Sequence, residues 1–464
     1  MRILSRPAVK TIAILALVAA LAALPAPGLY AAEGFFRVEQ HNGKWFVIDP
    51  AGKPFHMRGC NHYSNGTRMP WNLKERYAGD PAKWMTELRN RHREWGFTFL
   101  APSIGGAAID PATLPSDKPK ASLVVRQPEW TAVERIRADF PFTPFLGVPQ
   151  EYMAGERLGD VWSDKFISAV DERCRELVAP LKDNKMVIGY HFSHNPPWNA
   201  HAKSFELWIK DCTKPGSPGL KEWVKLMQRI YGTIERWREV YGVPIQEWSD
   251  IEKLRNPLHG YISAGKQLED MDAFMERICE QWYRVHHDTI RKYDPNHLIL
   301  GDRNTLHLQP PLQPWAIRIM RRYVDVLSVN VMGPPATVYG LLELATRHWD
   351  GPILLADTGA GVYEGEPAKA GYQAKDLAEF EACYRGLMEM SLNHPQVIGF
   401  AWCGWYETPD GHPNLRSGLV DCRTDEPLAD RLAVVRKWNQ WMEREFETRC
   451  SQSGNRSAHS QKKE

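Results

Sequence analysis

Net charge is nearly absent: 464 residues carry 58 Lys and Arg against 56 Asp and Glu. So even a balance gives no basic field to hold nucleic acid or an anionic membrane surface, and a neutral substrate fits it. Cysteine is sparse. Cys60, Cys174, Cys212, Cys279, Cys383, Cys403, Cys422 and Cys450 include no C-x-x-C pair, so zinc-ligand spacing is missing. Eight in a chain of this length make no disulfide scaffold. Cys60 and Cys403 fall in apolar runs and read as buried thiols. No glycine-rich phosphate loop is found, which argues against a doubly wound nucleotide-binding sheet. No apolar run reaches the roughly 20 residues of a membrane span.

The nearest approach to a span is Thr11–Leu24, preceded by Arg2, Arg6 and Lys10 and followed by small residues up to Ala31-Ala32. This is the pattern of a cleaved secretory signal over residues 1–31, with an uncleaved anchor as the alternative. It predicts export to the periplasm or the exterior and no stable membrane insertion afterwards. No cysteine stands near the cleavage region to carry a lipid. Cleavage removes three basic residues and no acidic one, so the mature chain stays near neutral.

What is present is ordinary globular material, 43% hydrophobic and 25% charged. The stretch Phe35–Met57 holds two short β-prone runs around Asn42-Gly43 and Ala51-Gly52, which predicts a hairpin lying under the fold that follows. Short apolar runs then recur at His56–Cys60, Phe97–Pro102, Phe142–Val148, Val187–Phe192, His297–Leu300, Val324–Val329, Ile353–Ala356 and Val397–Trp402. Helical periodicity fills most gaps, as in Pro81–Trp95, Asp164–Leu181 and Leu377–Leu392. Asp80-Pro81 and Ser163-Asp164 read as helix starts. Eight strand–helix units predict an α/β fold, a (β/α)8 TIM barrel, over residues 32–446. The stretch 198–296 is too long for one crossover. It is expected to be a helical insertion after strand four, containing Leu220–Tyr241 and Met271–Tyr293. The polar tail 447–464 is expected to be disordered.

Barrel enzymes work at the C-terminal ends of their strands, so polar residues there are the site candidates. Strand one ends Asn61-His62-Tyr63 and strand three near Glu151. Strand four ends His194-Asn195-Pro196-Pro197-Trp198. Strand five ends Asp302-Arg303-Asn304, strand six Asn330, strand seven Asp357-Thr358-Gly359, and strand eight Trp402-Cys403-Gly404-Trp405-Tyr406-Glu407. Carboxylates and amides suit sugar hydroxyls, and flat aromatic rings suit sugar C–H faces. There are 18 tryptophans. Trp84, Trp95 and Trp282 are expected to pack between helices and strands, while Trp198, Trp405 and Tyr406 are candidates to line a cleft.

Four motifs resemble a known group. The opening NGKWFVIDPAGKPFHMRGCN, the strand-four run VIGYHFSHNPPW, the insertion YGTIERWREVYGVPIQEWSDIEKL and the strand-eight run VIGFAWCGWYE are similar to clan-A glycoside hydrolases. The likeness is strongest to beta-agarases and barrel-type bacterial beta-galactosidases, and spans roughly residues 35–445. It implies hydrolysis of a galactose-containing or related glycan by two carboxyl groups about 5–5.5 Å apart. A Glu after an Asn on strand four would be the acid/base, and a Glu ending strand seven the nucleophile. Here Asn195 matches that Asn, but Pro196 occupies the acid/base position and Asp357 the nucleophile position. Asp357 is the leading catalytic candidate. Glu407, Asp302 and His194 are candidates for the second role, with Glu151 behind them. Asn61, His62, Asn195, Trp198, Arg303, Asn330, Trp402, Trp405 and Tyr406 are candidates to bind substrate.

Two other readings compete. Proline cannot donate a proton, so Pro196 suits a degenerate barrel that binds glycans without cleaving them. The pairs His286-His287 and His191/His194 raise metal-dependent hydrolysis. Adjacent residues on a helix point apart, and the second pair lacks a nearby carboxylate partner in sequence. No cofactor is implied, and the expected partner is a carbohydrate.

Overall fold

The computed structural model describes residues 32–63, 76–78, 81–102, 139–147, 159–194, 196, 198, 209–254, 265–306, 312–362, 372–407, 417–421 and 424–460. The chain enters through the expected hairpin. Strands β1 (Arg37–His41) and β2 (Lys44–Ile48) pair antiparallel around Asn42 and Gly43, at φ 51° and 80°. Two successive left-handed residues make the turn whose twist matches a hairpin, and Asn-Gly adopts it at little cost. β3 (Pro54–Phe55) adds to β2.

The barrel strands follow in chain order: β4 (Met57–Cys60), β5 (Phe99–Leu100), β6 (Gly189–His194), β7 (Leu298–Thr305), β8 (Leu327–Met332) and β9 (Ile353–Gly359). After the short pair β10 (Gly361–Val362) and β11 (Gln373–Ala374) comes β12 (Val397–Trp402). Seven of these form one curled parallel sheet in the order β5-β4-β12-β9-β8-β7-β6. The expected third strand spans its open edges. Phe142 bridges Leu100 on one side and Val187 on the other, and Phe145 bridges His191. Pro141 and Pro144 have no N–H to give a ladder, so this segment pairs through single bridges. The fold is a (β/α)8 barrel.

Met57, Phe99, Ile188, Leu298, Leu300, Val326, Leu354 and Ile398 fill the barrel's interior, and Phe36, Val38 and Val47 of the hairpin join the same cluster. The hairpin therefore seals the end of the barrel opposite the strands' C-termini. Lys44 anchors it there, donating to the carbonyls of Ser391, His394 and Val397 at 3.1, 2.7 and 2.9 Å. A second, larger apolar cluster lies between sheet and helices and takes in Trp84, Trp95 and Trp282, as expected.

Helix α1 (Pro81–Glu94) begins at the expected proline. Helix α2 (Asp164–Arg173) begins at its expected start, with Ser163 as N-cap accepting from the Phe166 N–H. Between β6 and β7 stand α3 (Pro218–Tyr231), α4 (Ile234–Tyr241) and α5 (Lys266–Tyr293). Buried Asp270 ties them together, accepting from Tyr231, from Tyr241 at 2.9 Å and from Lys266 at 2.8 Å. The described chain continues through α6 (Pro314–Met320), α7 (Pro335–Thr346) and α8 (Leu377–Asn393). After the parallel pair β13 (Tyr406–Glu407) and β14 (Val420–Asp421) comes α9 (Ala429–Ser460). Helix α9 continues past Phe446. Phe446 packs against Phe46 and His56, and Arg449 donates to the Leu392 carbonyl at 3.2 Å. Those contacts carry the helix beyond the point where apolar periodicity fades. No helix among the described residues is long and apolar enough to cross a membrane.

Candidate active site

Successive strand residues point to opposite faces, and register slips along β6, β7, β8 and β9 alter that phase. On β7, Leu298 and Leu300 belong to the interior cluster. Pairing then slips between Tyr190↔Ile299 and His191↔Gly301, and Gly301 takes φ +65°. A Cβ there would lie 2.8 Å from Val324 Cγ1. Beyond this bulge Arg303, not Asp302, turns toward the site. A second slip lies between His191↔Gly301 and His194↔Arg303, and a third between Val329↔Leu355 and Asn330↔Asp357. Bulges re-aim side chains in this way at barrel rims.

The result is a buried polar cluster around Asp357. Its Oδ2 lies 2.9 Å from Arg303 Nη2 and 3.4 Å from His62 Nε2. Asn61 Nδ2 donates to its Oδ1 at 3.1 Å and to the Ala356 carbonyl at 2.8 Å. Arg303 Nη2 also donates to the Ala356 carbonyl, at 3.1 Å. Burial alone would raise the Asp357 pKa. The Arg303 charge, followed by His62 and His194, outweighs it and holds the carboxyl well below the usual range. The balance favours the ionised carboxylate at neutral pH. Asn61 is fixed from both sides, its N–H donating to the Trp402 carbonyl at 2.8 Å and its own carbonyl accepting from Trp405 N–H at 2.7 Å. His62, next along, sits at φ 61°, a left-handed conformation that costs a non-glycine residue energy and is common at functional sites.

His194 is half-buried, with Asn330 Nδ2 3.3 Å from its Nδ1. Burial, then the Arg303 charge, pushes its pKa down to about 3. That shift favours the neutral imidazole at neutral pH. His191, buried in the same interior, is likewise pushed well below its usual value, first by burial and then by Arg303.

The other candidates lie apart from this cluster. Asp302 turns outward beneath α5, accepting from Ser193 Oγ at 2.7 Å and from Trp282 Nε1 at 3.1 Å. Burial raises it to about 6, against hydrogen bonds from Tyr283, Ser193, Trp282 and Trp198. Glu407 is buried against Arg431 of α9 at 2.9 Å and accepts from the Gly418 N–H at 2.7 Å. The aromatic candidates are packed rather than open. Trp198 is 1% exposed, against Trp282 and Tyr283. Trp402 packs on Phe380 and Tyr384, its Nε1 donating to the Ser417 carbonyl. Trp405 stacks on His92 and Trp95. Tyr406 accepts from Trp84 and donates to Asp425. All four follow the same rule: large rings after a barrel strand fill the sheet–helix layer before they reach the mouth. Asn195 and Glu151 lie outside the described residues. Pro196 is half-buried.

One neighbour of Asp357 escaped the sequence reasoning. Atoms of His62, Asp357 and Cys403 lie within 4.8 Å of one another. They come from the ends of β4, β9 and β12, adjacent in the sheet but about 300 and 50 residues apart in sequence, so no ligand-spacing motif reveals them. The one signal along the chain is that Cys403 directly follows the eighth strand.

No family model matches this sequence. Beta-agarase B of Vibrio sp. strain JT0107 is 21% identical over 88% of this chain and 48% of its own length. An exo-beta-agarase structure superposes with a TM-score of 0.67 at 16% identity, over 96% of this chain and 72% of that one. The agarase AgWH50C gives 0.66 at 17%, over 95% and 71%. A beta-galactosidase from Halorubrum lacusprofundi gives 0.54 at 13%, over 83% and 58%. The chain spans about half the length of the curated relative it matches, and what these likenesses establish is the fold: a (β/α)8 barrel built as in the beta-agarases.

Proposed function

We propose that this protein is a glycoside hydrolase acting on a galactose-containing or related polysaccharide or oligosaccharide, with Asp357 as the carboxylate facing the anomeric carbon. The observation that carries the reading is the Arg303–Asp357 pair at the C-terminal end of a barrel that resembles beta-agarases in fold. An ionised carboxylate in a water-poor site either attacks an oxocarbenium-like centre or stabilises it. Arg303 keeps it charged, and Asn61 and His62 hold its orientation. Asn61, His62, His194, Arg303 and Asn330 supply donors and acceptors for sugar hydroxyls. The N-terminal segment directs export, so the enzyme meets its substrate outside the cytoplasm.

The proton for the leaving oxygen does not come from position 196. Asp302 is held by Ser193 and Trp282, and Glu407 by Arg431. In this reading the acid is supplied from another rim position, with Glu151 the first to replace. The test is reducing-sugar release from galactans, agars, carrageenans and plant polysaccharides by the mature protein and by Asp357→Asn. Release by the first and its loss in the second supports the reading. Binding without release by both supports a degenerate glycan-binding barrel, the alternative that Pro196 favours.

A further inference from the structure

We propose that His62, Asp357 and Cys403 form a binding site for a thiophilic divalent cation of the zinc type, and that its occupancy takes Asp357 out of action. The inhibitory half rests on the function proposed above; the binding half does not.

The three side chains offer an imidazole nitrogen, a carboxylate oxygen and a thiol sulfur, all buried and within 4.8 Å of one another. Zinc takes such a mixed set at about 2.0–2.3 Å in a tetrahedron, which places its ligand atoms roughly 3.2–3.8 Å apart by that geometry. Only a small closure separates the observed trio from it. The frame is stiff. Each ligand stands at or just past the C-terminal end of a barrel strand, and β4, β12 and β9 are direct neighbours. Cys403 N–H donates to the Thr358 carbonyl at 2.8 Å, which ties the thiol's backbone to the residue after Asp357. Three protein ligands leave a fourth position open, as in zinc sites that carry a water.

A second observation points to the same place. Asn61 is fully buried and its Nδ2 donates to Asp357, yet among the described residues nothing donates to its Oδ1. A buried acceptor without a donor is costly. A metal-bound water beside Asp357 is a donor of the kind it lacks.

Arg303 opposes the cation. Its guanidinium lies 2.9 Å from Asp357 Oδ2, so it competes for the same carboxylate and repels a second positive charge. A carboxylate has about four lone-pair positions, so the competition weakens binding without excluding it. The same competition makes the site inhibitory: a cation held by Asp357 neutralises the charge that the reaction needs.

The test is direct titration of the chelator-treated full-length protein with Co2+ and Zn2+. The expected result is one tightly bound ion per chain and a thiolate-to-cobalt charge-transfer absorption. In Cys403→Ser, with unchanged near-ultraviolet circular dichroism, the absorption is lost and affinity falls at least tenfold. Absence of the thiolate absorption in the wild type, or its persistence in Cys403→Ser, overturns the proposal. If Cys403→Ser does not fold, the melting temperature decides. It rises with Zn2+ in the wild type and not in Asp357→Asn; an equal rise in both overturns the site. Metal binding by a protein that releases no sugar leaves this site standing and defeats the hydrolase reading instead. Zn2+ bound at Cys403 without loss of sugar release overturns the inhibitory half.

Discussion

Arg303 Nη2 and Asp357 Oδ2 meet 2.9 Å apart at the mouth of the barrel, although β8 runs between their strands. Both side chains are buried, so neither charge is satisfied by solvent. Removing one partner leaves the other uncompensated, which typically costs roughly 3–5 kcal/mol. Arg303→Met and Asp357→Leu are each expected to destabilise the protein by about that much, and the double variant by clearly less than their sum. Urea unfolding of the four proteins checks this. Strict additivity would mean that the pair carries no coupling.

The pair also sets a pH window. Asp357 has its pKa depressed in the fold, so its contribution is fully present above the ordinary carboxylate value, about 3.9, and is lost as pH falls below it. Stability of the wild type relative to Asp357→Asn is therefore expected to be flat from about pH 5 to 8 and to shrink toward about pH 3. Melting curves across that range test it, and a relative stability still changing between about pH 6 and 8 would contradict it.

Asp302 carries the opposite sign. Burial raises it to about 6, so the folded state binds the proton more tightly than the unfolded one. Stability then falls as pH rises from about 4 to about 6 and stays reduced above that. Asp302→Asn is expected to compare more favourably with wild type at about pH 7.5 than at about pH 4.5. The check is the difference in melting temperature at the two pH values; an equal difference would refute it.

Gly301 is the hinge of β7's change of phase. Its φ of +65° and the 2.8 Å approach of Val324 Cγ1 to an added methyl both resist alanine. Gly301→Ala is expected to cost roughly 1–3 kcal/mol. It should also lower sugar release by more than stability alone explains, because Arg303 is re-aimed. A variant as active and stable as wild type would show that the bulge does not position Arg303.

If Glu151 supplies the proton that position 196 cannot, its loss should spare substrates that need no proton. In Glu151→Gln, an aryl β-galactoside with a nitrophenol leaving group is expected to keep its kcat while that on a galactan oligosaccharide falls. The fall should approach the roughly 10²–10⁴-fold that general acid catalysis typically contributes. An unchanged kcat on the oligosaccharide would indicate an efficient acid at another rim position.

Hydrophobic periodicity and turn chemistry sufficed for the architecture. Eight apolar runs separated by helical segments dictate a closed parallel barrel, because each strand must bury both faces. Asn42-Gly43 specifies the hairpin locally. The place of Asp357 near the C-terminal end of its strand was also legible, since it follows the apolar run Ile353–Ala356. The division of labour among the remaining candidates was not. Asp302 and Arg303 are adjacent in sequence, and plain alternation from Leu300 points the wrong one inward. Only the bulge at Gly301, a property of the ladder with β6, reverses them. Trp198, Trp402, Trp405 and Tyr406 read equally well as cleft or core, and packing against α1, α5 and α8 decided for the core. Glu407 found Arg431, and Cys403 found His62 and Asp357, across separations that no local pattern encodes. The sequence by itself determined where strands end and which polar residues end them. Register, bulges and long-range packing decided which of those residues face one another, because facing is a property of the closed sheet and not of any strand alone.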